Sequence, residues 1–192
     1  MKKWIAAVGA VLLMGSATAE ASQTHVAAEN DSLWSVGVEY GVSVLELQEV
    51  NNITDGAINQ GETLTVPAGI SAEEEELLGR LVEAEAQGEP FEGKVAVATV
   101  VLNRVDSDEF PDTISDVIYE VSPTGNYSFS PVQDGAINQS ATAESQQAVK
   151  EALAFSGQGN GSLFFYNPET ASNHWIGTQE TTTTIGKHVF AK

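Results

Sequence analysis

The sequence predicts an α+β protein in two modules: a small strand–helix–helix–strand unit followed by a larger, mostly helical domain. Three observations carry this. Short alternating stretches at residues 24–26 and 63–67 bracket a pair of apolar segments that each follow a capping residue. From residue 77 to residue 105 the apolar side chains recur at helical spacing and then cover a helix nearly all round. Beyond residue 157 the chain changes to a glycine-rich loop and short aromatic runs that read as strands.

The chain starts with a basic head, Met1-Lys2-Lys3, a short apolar run over residues 4–14 and then small residues ending in Ala17-Thr18-Ala19. That order is the secretory signal pattern, and residues 1–21 are expected to be removed on export. A second A-x-A, Ala19-Glu20-Ala21, offers an alternative cut, and an uncleaved anchor is the competing reading. The apolar run is short for a membrane span, and no later stretch is apolar enough for one. The mature chain is therefore expected to be secreted, free of the membrane and monomeric. It has no cysteine, so core packing rather than disulfides must hold it. With 27 acidic residues against 8 basic ones, it is unsuited to nucleic acid, whose phosphates need cations, and to polybasic attachment on anionic lipid.

The first module spans residues 23–68. Asp31 or Ser32 can cap a helix through Leu33, Trp34, Val36 and Tyr40 that stops at Gly41. Ser43 caps a second helix over 44–50, which ends at Asn51-Asn52. Trp34 lies inside the first helix and is expected in the core rather than stacked on a ligand. The segments D-S-L-W-S-V, Y-G-V-S-V-L-E-L, the N-N pair and I-N-Q-G-E-T-L-T-V-P closely resemble the LysM module. That resemblance implies a βααβ fold whose shallow groove binds N-acetylglucosamine-containing glycan. It assigns Asn30, Asp31, Ser32 and Leu33 to one wall and Ile53, Thr54, Asp55 and Gly56 to the other. Asn30-Asp31 stands where the commoner pattern has Gly-Asp, a mild departure.

Residues 69–192 form the second domain. Ser71 and Glu74 have the spacing of a capping box, and the run Glu73 to Glu76 suits the first turn of a helix. The stripe Leu77, Leu78, Leu81, Val82 continues onto Glu85. A carboxyl on a buried helix face has a raised pKa, the state a general acid at neutral pH requires. Glu83 is off the stripe and is expected to be solvated. Glu89, between Gly88 and Pro90, can line a cleft or cap the next helix. That helix, over 91–105, belongs at the domain centre, and Asn103 and Arg104 at its end must find buried partners, a catalytic carboxylate among the candidates. Helices are expected near 72–87, 91–105, 113–118 and 143–155, with an antiparallel pair from 162–166 and 188–190.

The run A-E-A-Q-G-E-P-F-E-G-K-V-A-V-A-T-V-V-L-N-R-V resembles the catalytic domain of SleB/CwlJ-type cell-wall hydrolases. So do F-P-D-T-I-S-D-V-I-Y, F-S-P-V-Q-D-G-A-I-N, L-F-F-Y-N-P, W-I-G-T and I-G-K-H-V-F, in order to the end of the chain. The resemblance implies a lysozyme- and transglycosylase-like fold that cuts peptidoglycan glycan strands between N-acetylmuramic acid and N-acetylglucosamine through one glutamate, Glu85. A lytic transglycosylase needs that single group, whereas a hydrolytic muramidase normally needs a second carboxylate. Glu89 and Asp134 are the candidates, and Asp134-Gly135 also reads as an ordinary turn. Phe129, Tyr166, Asn167 and Trp175 are candidate sugar contacts, although Phe164-Phe165-Tyr166 reads first as a buried strand. His174 and His188 do not make a zinc pattern, and His188 is expected to be a hydrogen-bonded strand residue; no cofactor or metal is expected. Ser128 and Ser130 lack a nucleophile setting. The expected location is the cell wall or the spore cortex, where such domains act in germination. The other functional reading is a wall-binding protein without catalysis.

Overall fold

The computed structural model describes residues 23–122, 125–171 and 175–192; the expected signal segment and His174 lie outside them. In the first module β1 (Gln23–Val26) pairs antiparallel with β2 (Thr63–Val66), Gln23 opposite Val66 and Val26 opposite Thr63. Between them lie α1 (Leu33–Tyr40) and α2 (Val44–Asn51). Ser32 caps α1 in a reciprocal box with Ser35, and Gly41 ends it in the left-handed conformation at φ 62°. Ser43 caps α2, which ends on Asn52 at φ 56°. The Asn51 side chain donates to the carbonyls of Leu47 and Thr65 and accepts the Thr65 N–H at 2.7 Å, stitching α2 to β2.

Leu33, Val36, Val42, Leu47, Leu64 and Val66 form the core of this module. Leu33 is only 3 % exposed, so its side chain is core and is not available to a groove. Trp34 reverses the expectation in the other direction, being 42 % exposed. On an eight-residue helix whose residues 33, 36 and 37 face inward, position 34 turns outward.

The second domain opens with α3 (Ala72–Glu85), held by the Ser71–Glu74 capping box, and α4 (Phe91–Val105). Next come α5 (Ile114–Ile118), the single-turn α6 (Ser130–Asp134), a 3-10 turn at Ala136–Asn138 and α7 (Ala143–Phe155). α4 is central, with Val97, Ala98, Val100 and Val101 fully buried among residues of α3, α5 and α7. The chain ends in β3 (Phe164–Tyr166), β4 (Thr181–Ile185) and β5 (His188–Ala191), an antiparallel sheet of order β3–β5–β4. The expected pair is present as β3–β5. The third strand, β4, is threonine-rich and lacks the apolar alternation that marks a strand in sequence.

Two further expectations are corrected. Glu83 is partly exposed but does more than meet solvent: its Oε2 accepts the hydroxyls of Thr142 and Ser145, each at 2.6 Å, so a carboxylate on α3 holds the first turn of α7. Those hydroxyls hold the carboxyl below its ordinary value. His188 is a strand residue as expected, but it is buried and its Nδ1 has no hydrogen-bond partner among the described residues; the ring is packed against Phe165 and Phe190 instead.

Candidate active site

Glu85 is the last residue of α3, half-buried above Leu81, Val82 and Ala86, all fully buried. Burial pushes its carboxyl from an ordinary 4.5 up to about 7, and the negative charge of Asp134 adds to that rise. The Ser130 backbone N–H and the Arg104 cation pull the other way. One turn of helix supplies two of these influences. α6 begins at Ser130 and ends at Asp134, where Gly135 takes φ 86° and the Ala136 N–H donates to Asp134 Oδ1 at 2.9 Å. The turn expected at Asp134-Gly135 is therefore real, and it is also what sets the aspartate near Glu85.

Arg104 reaches the site from α4. Its Nε donates to the Leu163 carbonyl at 2.8 Å, and the guanidinium lies 4.8, 5.0 and 5.6 Å from the ring centroids of Phe110, Phe129 and Phe164. Burial lowers its pKa to about 10, opposed by the charges of Glu120 and Glu85, so it stays a cation at neutral pH. Its Nη1 has no hydrogen-bond partner among the described residues. Asn103, next to it, donates to the Ser162 carbonyl at 2.9 Å. Only Arg104 of that pair bears on a carboxylate; Asn103 ties the approach to β3 onto α4.

Glu89 is engaged elsewhere. Its Oε2 accepts the Lys187 N–H at 2.9 Å and lies against Gly186, at φ 57°, in the turn between β4 and β5. It does not cap α4, whose N-cap is Pro90 without a side-chain bond. Phe129 is 2 % exposed and offers no stacking face; it forms part of the wall around Arg104. Tyr166 is half-buried, Asn167 accepts the Glu169 N–H at 2.9 Å, and Trp175 is 54 % exposed with its ring edge-on to Phe164.

Two participants were not singled out from the sequence in these roles: Ser130 through its N–H and Glu120 as a second anion near Arg104. Ser130-Pro131 is the signal that was available for the first, since proline in a first turn marks a helix start. Glu120 had none, because its approach to Arg104 depends on the chain folding back, with the Ser128 hydroxyl donating to Glu120 at 2.8 Å.

In the first module Asn30, Ser32, Thr54, Asp55 and Gly56 are exposed, and Asp31 and Ile53 are half-buried. Asp31 Oδ2 accepts the Ala28 N–H at 2.7 Å and pairs with His25 Nε2 at 2.8 Å, which together hold its carboxyl below the ordinary range. Asp31 thus shapes its loop, while the other polar residues face solvent on the two loops.

Comparison with known proteins identifies the families of both modules. The LysM domain family matches residues 25–67, and the cell wall hydrolase family matches residues 88–191, starting just after Glu85. A spore cortex-lytic enzyme of Oceanobacillus iheyensis is 38% identical over 148 residues, 74% of this chain and 52% of that protein. The chain spans about half the length of the curated relatives it matches. The catalytic domain of a germination-specific lytic transglycosylase, SleB, from Bacillus anthracis superposes with a TM-score of 0.58 at 39% identity, covering 66% of this chain and all of that one. The SleB catalytic domain of Bacillus cereus gives 0.56 at 40% identity, covering 66% and 95%. With more than half of its length matched by one family, the chain belongs to the cell wall hydrolases and carries a LysM module ahead of that domain.

Proposed function

We propose that this protein cuts peptidoglycan glycan strands between N-acetylmuramic acid and N-acetylglucosamine as a lytic transglycosylase, with Glu85 as acid and then base. The observation that carries the reading is a half-buried carboxyl whose pKa, about 7, leaves both protonation states accessible at neutral pH. A single group that must give a proton and then take one back needs that balance.

In the first half of the reaction Glu85 gives its proton to the glycosidic oxygen while the bond to the muramic acid C1 breaks with oxocarbenium character. In the second half the Glu85 carboxylate takes the proton of the muramic acid 6-hydroxyl as that oxygen bonds to C1. The product is a 1,6-anhydro ring, and no water is consumed. Asp134 favours the protonated form that starts the cycle, and Arg104 and the Ser130 N–H favour the carboxylate that ends its first half. Glu89 is held in the β4–β5 turn, which leaves Asp134 as the carboxylate beside Glu85.

That proximity keeps a second reading in view, a hydrolytic muramidase in which Asp134 activates water. Mass spectrometry of the soluble products from purified peptidoglycan separates the two. Anhydro-muramic ends are expected. Reducing muramic ends, lost in Asp134→Asn, would replace this reading with the hydrolytic one. Equal clearing by wild type and Glu85→Gln would overturn the assignment of Glu85, and no cut glycan at all would reduce the chain to a wall-binding protein. The reading extends to a monomer exported by residues 1–21, bound to the wall or spore cortex by a module at 23–68, and cutting with a domain at 69–192.

A further inference from the structure

The two modules are packed against each other rather than strung on a tether. α1 lies on α7 so closely that a Cβ on Gly37 would stand 3.2 Å from the Ala154 Cβ, and one on Gly41 would stand 3.4 Å from Leu153 Cδ1. Ala154 is fully buried although it lies outside the catalytic domain's own core cluster. The Ser43 hydroxyl donates to the Ser156 carbonyl at 3.0 Å, so the N-cap of α2 meets the C-cap of α7. Leu45 reaches to 3.1 Å from the Cβ position of Gly157. The connecting segment is clamped as well: Gly69 sits where a Cβ would meet the Gly41 carbonyl at 3.2 Å, and Ile70 packs on the catalytic core.

The contact uses one end of the module only. Gly37, Gly41, Ser43 and Leu45 lie at the C-terminal end of α1 and the N-terminal end of α2. The loops bearing Asn30 and Thr54 lie at the opposite ends of those helices, about 12 Å away for an eight-residue helix. Docking therefore leaves those loops open to a ligand while fixing their distance from the catalytic domain.

We propose that the docked LysM module is a fixed extension of the substrate site, so that a single glycan strand held on its loops presents its bonds to Glu85 at a set offset. The preferred substrate is then a strand long enough to engage both modules, and the products have a defined length. This rests on the glycan-cutting reading above.

The test compares wild type with Ala154→Arg at about 150 mM salt, where the Debye length is roughly 8 Å. A second variant carries a Gly-Ser insertion after Ala68 together with Leu45→Glu. It leaves every buried side chain in place and is read instead if circular dichroism shows that Ala154→Arg has lost its fold. Small-angle scattering should give one compact particle for wild type and a longer, flexible one for the variant. On long glycan strands wild type should release a narrow range of product lengths, and the undocked variant a range at least twice as wide. Cleavage of short soluble oligomers, which cannot reach both modules, should stay within about twofold. An extended wild-type particle would overturn the proposal, as would unchanged product lengths in a variant shown to be undocked. If wild type cuts no glycan, the cutting reading fails on its own, and scattering still reports whether the modules dock.

Discussion

In the proposed reaction Glu85 links catalysis and stability through one carboxyl. Its pKa rises from 4.5 to about 7 on folding, so the fold favours the protonated form. The stability this gives is full below about pH 4.5 and is lost as pH climbs through 7. At 1.36 kcal/mol per pH unit, and discounted for the solvent the group still meets, the loss is about 1–3 kcal/mol. Glu85→Gln should therefore raise the unfolding free energy by about that amount at pH 8 and leave it nearly unchanged at pH 4, as read by urea titration. The same variant should lose activity by a factor of about 10²–10⁴ or more. The neighbours then set the pH profile with opposite signs. Asp134 raises the Glu85 pKa, so Asp134→Asn should move the alkaline limb of kcat/KM to lower pH; Arg104 lowers it, so Arg104→Met should move that limb to higher pH. A limb that stays in place in both variants would mean that another group limits the rate. The helical stripe made Glu85 legible in sequence, because four spaced apolar residues place it without knowledge of the rest of the fold. For Asp134 and Arg104 the sequence left each paired with an alternative, Glu89 and Asn103, since the choice is made by α6 and α4 meeting across the site.

At the scale of elements, caps and periodicity read directly from the chain, whereas contacts between elements did not. Ser32, Ser43 and Ser71 cap the helices they precede, because an N-cap is a bond between residues only two or three apart. Glu83 escaped, because its partners Thr142 and Ser145 are about sixty positions away in the chain. Trp34 and Leu33 exchanged expected roles, since an eight-residue helix gives too short a pattern to fix which side packs. Glu83 yields a test of the contact between α3 and α7. Its carboxyl is held below the ordinary value, so its stabilisation is present above about pH 4.5 and is lost as pH falls further. Glu83→Ala should cost about 1–3 kcal/mol at pH 7, the range for hydrogen bonds to a charged group, and less at pH 3. An equal cost at both pH values would assign the effect to lost packing rather than to the charged cap.

Over the whole molecule the charge balance acts on the junction between the modules. Beneath the α1–α7 contact an open cavity of about 470 Å³ is lined by Glu46 from the LysM module and by Glu74, Asp106 and Asp112 from the catalytic domain, with no lysine, arginine or histidine among its lining residues. Like charges that meet across an exposed gap repel, and salt screens them: the Debye length falls from roughly 30 Å at 0.01 M to roughly 8 Å at 0.15 M. Docking by Gly37, Ala154 and the Ser43–Ser156 bond must act against this repulsion. Low salt should therefore loosen the junction and physiological salt close it, the reverse of the behaviour of a junction held by ion pairs. Scattering across a salt series should show the radius of gyration falling as salt rises. Glu46→Lys, which turns one side of the gap cationic, should abolish or invert that trend while leaving the catalytic domain unaltered. If the wild-type radius is flat across the series, apolar packing alone sets the junction and the carboxylates have no part in it. If it falls and product lengths narrow in parallel, the acidic composition of the chain tunes where the enzyme cuts, beyond keeping it soluble.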